Sequence, residues 1–287
     1  MPGIISGLIS MFGWGTSDFL AAKSSRKIGY LLTLFWMQIA GFLIASFYFF
    51  LHFSFPFNNI VKYLPALIIG GFLNAIGYIA FYKGLKEARV SLVSPIGGSW
   101  AVITVILSSV FLGEVLSTNR ILFIALIFIG LMLVSTNIKK ILEIKKLTIF
   151  DGVKEGFVAM FCWGIAMFLI INPSRLLSWF LPIFVFRFFS ILFLLFFIFI
   201  NKQSLRISYN LDLFGPVLLI GLFDVGAFFT YSFGIIGAYA SFIAPIAASF
   251  PLVTIILSRI FLKEKLDISQ IFGIIITISG LILISIK

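Results

Sequence analysis

The chain has 287 residues, of which 61% are hydrophobic and 11% charged, and its formal net charge is +11. Soluble domains are about 25% charged, so this composition excludes a water-soluble protein and indicates a chain that lies in a lipid bilayer. The basic residues fall in short gaps between apolar runs, where membrane orientation explains them better than nucleic-acid binding does.

Residue counts exclude several classes of site. The single cysteine, Cys162, excludes an intrachain disulfide and a multi-cysteine metal site. The single histidine, His52, excludes a histidine-based site such as HExxH. We therefore expect neither a metal nor a cofactor. The first apolar run lacks a basic segment before it, so we interpret it as a membrane span and not as a cleavable signal peptide.

Ten apolar runs, separated by glycine, proline, asparagine and lysine, follow one another along the chain. About 20 apolar residues in a helix cross a hydrocarbon core of roughly 30 Å. The runs therefore predict an all-α integral membrane protein with ten transmembrane helices. These helices are predicted at 4–22, 31–51, 63–83, 88–111, 119–136, 152–171, 179–200, 213–235, 238–261 and 267–286.

The sequence repeats itself once. "MFGWGTSDF" at 11–19 corresponds to "MFCWGIAMF" at 160–168, and 20 of 56 positions are identical between 81–136 and 231–286. The repeat predicts a first five-helix unit, 1–140, a basic connection, 141–151, and a second five-helix unit, 152–287, within one membrane domain. Because five is odd, the second unit enters the membrane inverted, as in transporters with a site at the repeat interface.

These features resemble the drug/metabolite transporter superfamily in its EamA-like branch. The resemblance is carried by ten spans in two sets of five, by Trp14-Gly15 and Trp163-Gly164, and by the closing patterns "FLGEVL…GLMLVS" and "FLKEKL…GLILIS". It implies a central cavity lined mainly by the first, third and fourth helices of each repeat. It also implies that the protein is not an enzyme but a secondary transporter of a small polar metabolite, such as an amino acid, sugar or nucleobase.

Two alternatives belong to other functional classes. A flippase for a lipid-linked carrier shares this fold, and a lateral opening between helices would favour it. A membrane-embedded transferase needs clustered acids for a metal and a diphosphate, and no DDxxD or DxxxD pattern occurs. The chain also lacks a Walker A motif, which excludes ATP hydrolysis at a P-loop in this chain.

The distribution of basic residues predicts an orientation in the cell membrane. Sixteen lysine and arginine residues fall on one side of the predicted spans and four on the other. The positive-inside rule then places both termini outside, whereas the family resemblance places them inside. Import and export, and a monomer and a homodimer, are left open.

Polar residues within the predicted spans are the strongest functional signal, because ionisable groups at membrane depth face a cavity or a partner. In the repeat alignment Asn74 corresponds to Asp224, Gln38 to Arg187, and Asp18 to Met167. A solvated acid near a helix end is the alternative interpretation of Asp18. The predicted substrate cavity comprises Trp14, Asp18, Asn74, Tyr78, Tyr82, Trp163, Asp224 and Tyr231.

Further roles are assigned to the remaining polar and helix-breaking residues. Asp224, and after it Asp18, are candidates for proton coupling. Arg187 and Gln38 are candidates for a structural ion pair or hydrogen bond, with Asp224 or Asp18 as the anion. The last predicted features are helix breaks at Pro95 and Pro245, and caps of the following helices at Glu114 and Glu264.

Overall fold

The computed structural model describes residues 2–52, 59–87, 93, 96–135, 153–203, 205, 211–263 and 266–286, and within these it confirms ten helices in two sets of five. Eight of the helices are long and apolar enough to cross a membrane. The predicted connection 141–151, and with it Pro95 and Glu264, lies outside the described residues. The helices are α1 (Pro2–Ile28), α2 (Tyr30–Leu51), α3 (Ile60–Glu87), α4 (Trp100–Phe111), α5 (Thr118–Ser135), α6 (Val153–Leu169, followed by the short helix Ile171–Leu176), α7 (Leu181–Ile200), α8 (Leu211–Ile236), α9 (Ala240–Ala247 and Phe250–Leu262) and α10 (Ile268–Ile286).

The two repeats break at the same position. Ser249 separates the two parts of α9 with φ −75° and ψ 9°, and Ser99, 150 residues earlier, precedes α4 with φ −76° and ψ 10°. In α9 the break falls four residues after Pro245, at the point where Pro251 lacks the amide hydrogen that would continue the helix. The Ser249 hydroxyl donates to the Pro245 carbonyl at 2.9 Å, which satisfies an acceptor left by the break.

The two repeats are interleaved in space. Helices α1 and α2 of the first repeat pack on α8 and α9 of the second, whereas α6 and α7 of the second repeat pack on α3 and α4 of the first. The first bundle therefore consists of α1, α2, α8 and α9, and the second bundle of α3, α4, α6 and α7. Helices α5 and α10 pack against each other, and α10 is among the least buried spans.

The repeated Trp-Gly sequence has an architectural cause. The backbone of α1 at Gly15 lies against Val253 and the Phe250 carbonyl of α9, where a Cβ would come within 2.7 Å of that oxygen. Gly164 of α6 lies in the same way against α4. Small residues permit this close approach, since helices in lipid associate by packing and not by a hydrophobic drive.

Each crossing is completed by one equivalent hydrogen bond. Thr254 donates its hydroxyl to the Gly15 carbonyl at 3.1 Å, and Thr104 donates to the Gly164 carbonyl at 2.9 Å. The equivalence of these contacts shows that the inverted repeat extends from the sequence to the helix interfaces.

We predict that Gly15→Ala and Gly164→Ala each lower the stability of the purified protein. The added methyl group overpacks a backbone contact, and overpacking costs about 1–3 kcal/mol. Thermal unfolding in detergent measures the effect. Gly226→Ala is the matched control, because nothing lies within 4 Å of a Cβ there and alanine favours the helix. Equal melting temperatures for all three variants would contradict the crossing argument.

Candidate substrate cavity

A cavity lies between the two bundles near the middle of the helices. The empty space between its walls is about 330 Å³, including the part that is open to the outside. Eight of the lining residues form four pairs of equivalent positions in the two repeats, so the cavity lies on the pseudo-twofold axis. The pairs are Trp14 and Trp163, Asp18 and Met167, Tyr78 and Phe228, and Trp100 and Phe250, and Asn74 is the ninth lining residue.

The aromatic wall of the cavity is built twice by the same contacts. Trp14 packs edge-to-face on Phe228 with ring centroids 5.2 Å apart, and Trp163 packs edge-to-face on Tyr78 at the same distance. Trp100 adds a second edge-to-face contact with Trp14 at 5.9 Å. Such packing supplements the area that each ring buries and holds the wall in one arrangement.

Asp18 breaks this symmetry, since its equivalent is Met167. Asp18 lies on α1 one turn beyond Trp14, is half-buried and lines the cavity. None of the residues that the structure describes forms a hydrogen bond or an ion pair with its carboxylate. The cavity therefore contains one acidic side chain whose oxygens are available to a ligand, a proton or water.

A buried charged network lies beside the cavity. Arg187 of α7 donates from Nη2 to Oδ2 of Asp224 at 2.7 Å, and the Tyr78 hydroxyl donates to Oδ1 of Asp224 at 2.6 Å. Asp224 belongs to the first bundle, whereas Tyr78 and Arg187 belong to the second. These three residues, the central triad, thus link the two bundles through both oxygens of one carboxylate.

Helix α2 provides the remaining surroundings of Arg187. The guanidinium lies against Gly41, where a Cβ would overlap Nη2, and Nε donates to the Gln38 carbonyl at 3.5 Å. The side-chain oxygen Oε1 of Gln38 has no partner among the described residues. Arginine remains protonated at any physiological pH, so this fixed charge requires the Asp224 carboxylate.

Asn74, the repeat equivalent of Asp224, lines the cavity itself. Its Nδ2 donates to Ser190 at 3.0 Å, and its Oδ1 has no partner among the residues that the structure describes. Asn74 is only 2% exposed, and a buried acceptor without a donor is costly. It is therefore a second candidate for contact with a ligand.

A second polar network closes the face of the molecule at which α4 and α6 end. Glu114 accepts from Arg175 Nη2 at 2.7 Å and from the backbone N–H groups of Ala240 and Ser241 at 3.0 and 2.8 Å. Arg175 also donates to the carbonyls of Ile235 and Ala238, each at 2.9 Å. This Glu114 clamp holds the ends of α4 and α6 in the second bundle against the α8–α9 connection of the first.

The prediction that Glu114 caps the following helix is wrong. Its carboxylate caps the start of α9, whose free N–H groups and positive helix end attract an anion. Burial would raise the pKa of Glu114, but the hydrogen bonds from Ser241, Arg175 and Ala240 outweigh burial and hold the pKa below its usual value.

The predicted cavity residues occupy three kinds of position. Trp14, Asp18, Asn74, Tyr78 and Trp163 line the cavity together. Asp224 is 1% exposed and lies behind the wall, held by Tyr78.

The two remaining tyrosines lie outside the lining. The Tyr82 hydroxyl donates to the Met37 sulfur at 3.6 Å. Tyr231 packs on Trp14 and Trp100.

Sequence reasoning missed four lining residues. Trp100, Phe228 and Phe250 are aromatic at the positions equivalent to other lining aromatics, and Met167 is the equivalent of Asp18. The coincidence of aromatic residues in both repeats was the signal that could have found the first three. It was hidden by the abundance of phenylalanine, which occurs 37 times in the chain.

Ten helices in two interleaved inverted repeats, with a cavity on their axis, define an integral membrane protein of the transporter type. The chain belongs to the EamA-like transporter family, whose model matches residues 1–136 and 152–286.

Two archaeal proteins are similar in sequence. An uncharacterized transporter of Archaeoglobus fulgidus is 25% identical over 226 residues, which are 76% of this chain and 74% of that protein. An uncharacterized protein of Methanocaldococcus jannaschii is 31% identical over 136 residues, which are 46% of this chain and 95% of that protein. The second relative is therefore about as long as one repeat.

A solved crystal structure shares the fold. It is 13% identical in sequence, with a TM-score of 0.80, and the match covers 99% of this chain and 96% of the other.

We predict that removing one charge of the central triad is more damaging than removing both. Arg187→Met leaves Asp224 buried and uncompensated, and a broken buried pair costs about 3–5 kcal/mol. Asp224→Asn does the same to Arg187, whereas the double variant buries no charge. The wild type, the two single variants and the double variant form a double-mutant cycle. It is measured by melting temperature and by the folded fraction in size-exclusion chromatography. Losses that simply add in the double variant would contradict the compensation.

We predict that the Glu114 clamp loses strength in acid. A carboxylate with a lowered pKa stabilises the folded state above its unfolded pKa, and this contribution is lost as the pH falls through the lower folded pKa. Glu114→Gln should therefore lower the melting temperature at pH 7, and its difference from the wild type should shrink below about pH 4. A difference that grows in acid would contradict this assignment.

Proposed function

We propose that the protein is a secondary transporter that moves a small polar metabolite across the cell membrane by alternating access. The observation that carries this proposal is the cavity between the two bundles, lined by equivalent residues of two inverted repeats. A site on the pseudo-twofold axis is reachable from either face if the bundles tilt against each other.

The unequal links between the bundles support this motion. The Glu114 clamp joins them at one face by an ion pair and four hydrogen bonds to backbone. At the opposite face the ion pair of Lys83 with Glu155 lies within the second bundle, and no ion pair between described residues joins the bundles there. Opening the face at which α4 and α6 end therefore requires Glu114 to release α9.

Asp18 is the better candidate for proton coupling. Both oxygens of Asp224 are occupied, by Arg187 and Tyr78, so its charge is compensated and its role is structural. Asp18 faces the cavity without a partner among the described residues. A carboxylate that is alternately exposed to water and enclosed takes up and releases a proton, because burial disfavours its charged form.

The experiment uses purified protein in sealed liposomes. A thermal-shift screen of amino acids, sugars, nucleobases and amines identifies a stabilising compound, and its uptake is then measured with and without a pH gradient. We expect gradient-driven accumulation in the wild type, and exchange without accumulation in Asp18→Asn. Asp224→Asn should yield less folded protein, but its folded fraction should keep the pH response.

Two outcomes would contradict parts of the proposal. Unchanged pH dependence in Asp18→Asn would eliminate Asp18 as the proton carrier. Failure of every screened compound to enter or exchange, with tight liposomes and folded protein, would contradict transport of a small metabolite.

A further inference from the structure

We infer that the cavity binds a small organic monocation that carries an ammonium group, an inference that rests on the proposed transport function. The cavity combines an unpaired carboxylate, a buried amide oxygen without a donor, and a wall of six aromatic rings. Each of these features favours a positive charge.

When Asp18 is ionised, the charge balance around the cavity is negative. Arg187 lies beside the cavity, and its guanidinium donates hydrogen bonds to Asp224 and to the Gln38 carbonyl. Asp18 is the one acidic or basic side chain among the nine lining residues. A monocation beside Asp18 leaves the cavity neutral, and enclosing a neutral pair costs far less than enclosing one charge.

The aromatic wall is suited to the same charge. Tryptophan faces attract cations more strongly than tyrosine or phenylalanine faces, and three of the six rings are tryptophan. The Tyr78 hydroxyl donates to Asp224, and the Trp163 Nε1 lies against Gly77. The Tyr78 hydrogen is thus directed at Asp224, whereas Nε1 of Trp163 is buried and has no acceptor among the described residues.

The acceptors define the ligand further. Asn74 Oδ1 is buried and has no partner among the described residues, and the Asp18 carboxylate is likewise unpartnered. An ammonium group donates hydrogen bonds to both kinds of oxygen and accepts none. The free volume between the walls is small, which limits the ligand to a small molecule.

Other ligand classes fit less well. The carboxylate of an anion or a zwitterion needs a cationic partner, and no lysine or arginine is among the described residues that line the cavity. A sugar needs many hydrogen-bond partners, whereas Asp18, Asn74 and three tryptophans are the polar lining residues that remain. Neutral apolar compounds suit the rings but leave Asp18 without a counter-ion.

The test uses four probes that share a four-carbon chain and differ in charge: n-butylammonium, n-butanol, butyrate and 4-aminobutyrate. Binding to the purified protein is measured by tryptophan fluorescence and thermal shift at constant pH and ionic strength. We expect n-butylammonium to bind at least about tenfold tighter than n-butanol, because hydrogen bonds to a charged group are stronger than neutral ones. Butyrate and 4-aminobutyrate should bind most weakly.

Variants connect this preference to Asp18. Asp18→Asn should abolish the preference for n-butylammonium, and Asp18→Glu, which keeps the charge, should retain it even if affinity falls. Asp267→Asn removes one acidic group before α10, outside the cavity lining, and should bind like the wild type. Size-exclusion profiles identify any variant that is not folded. If Asp18→Asn is not folded, the binding preference of Asp18→Glu is compared with that of the wild type instead.

Several results would overturn the inference. They are a wild type that binds n-butanol, butyrate or 4-aminobutyrate as tightly as n-butylammonium, an unchanged preference in Asp18→Asn, or no response to n-butylammonium at all. Liposome uptake separates this failure from failure of transport. If liposomes take up neutral or zwitterionic metabolites but not amines, the cation site is wrong and the transport function stands. If no compound of any class is taken up, transport itself is rejected.

Discussion

The fixed positive charge of Arg187 in the membrane interior is the constraint on which the centre of the molecule depends. Arginine does not lose its proton, so a neutralising anion and a pocket for a planar guanidinium must be present. Asp224 provides the anion and Gly41 the space. Because Arg187 and Asp224 belong to different bundles, the same interaction that neutralises the charge also joins the two bundles beside the cavity.

The interleaving of the repeats explains why the cavity has its composition. Each bundle takes two helices from each repeat, so the axis that relates the repeats passes between the bundles. Residues on that axis occur twice, which gives the paired tryptophans and the paired aromatic contacts. Where the two repeats carry different residues at equivalent positions on the axis, the two sides of the cavity differ in chemistry. Asp18 opposite Met167 is such a difference, and it makes the cavity chemically asymmetric.

The sequence was sufficient for the features that depend on repetition and hydropathy. The ten spans followed from the apolar runs, and the equivalence of Trp14 with Trp163 and of Asn74 with Asp224 followed from the repeat alignment, because both are patterns of the sequence itself. The pairing of Arg187 with Asp224 was one of two alternatives, since α7 and α8 are neighbours and only the rotation of each helix decides whether the side chains meet. Glu114 was assigned to the nearest helix in sequence, whereas its partner Ala240 lies 126 residues away. Such a contact depends on how the helix ends meet in space, which no local pattern encodes.

The interleaved bundles also have a consequence for how the protein is made. Helices α1 and α2 enter the membrane long before α8 and α9, against which Gly15 and the rest of their packing faces lie. During synthesis those faces therefore contact lipid or insertion machinery, and neither bundle can be completed until the second repeat has been inserted. The first repeat thus remains incompletely packed until the second repeat is inserted. A chain that ends at its midpoint would lack two helices of each bundle.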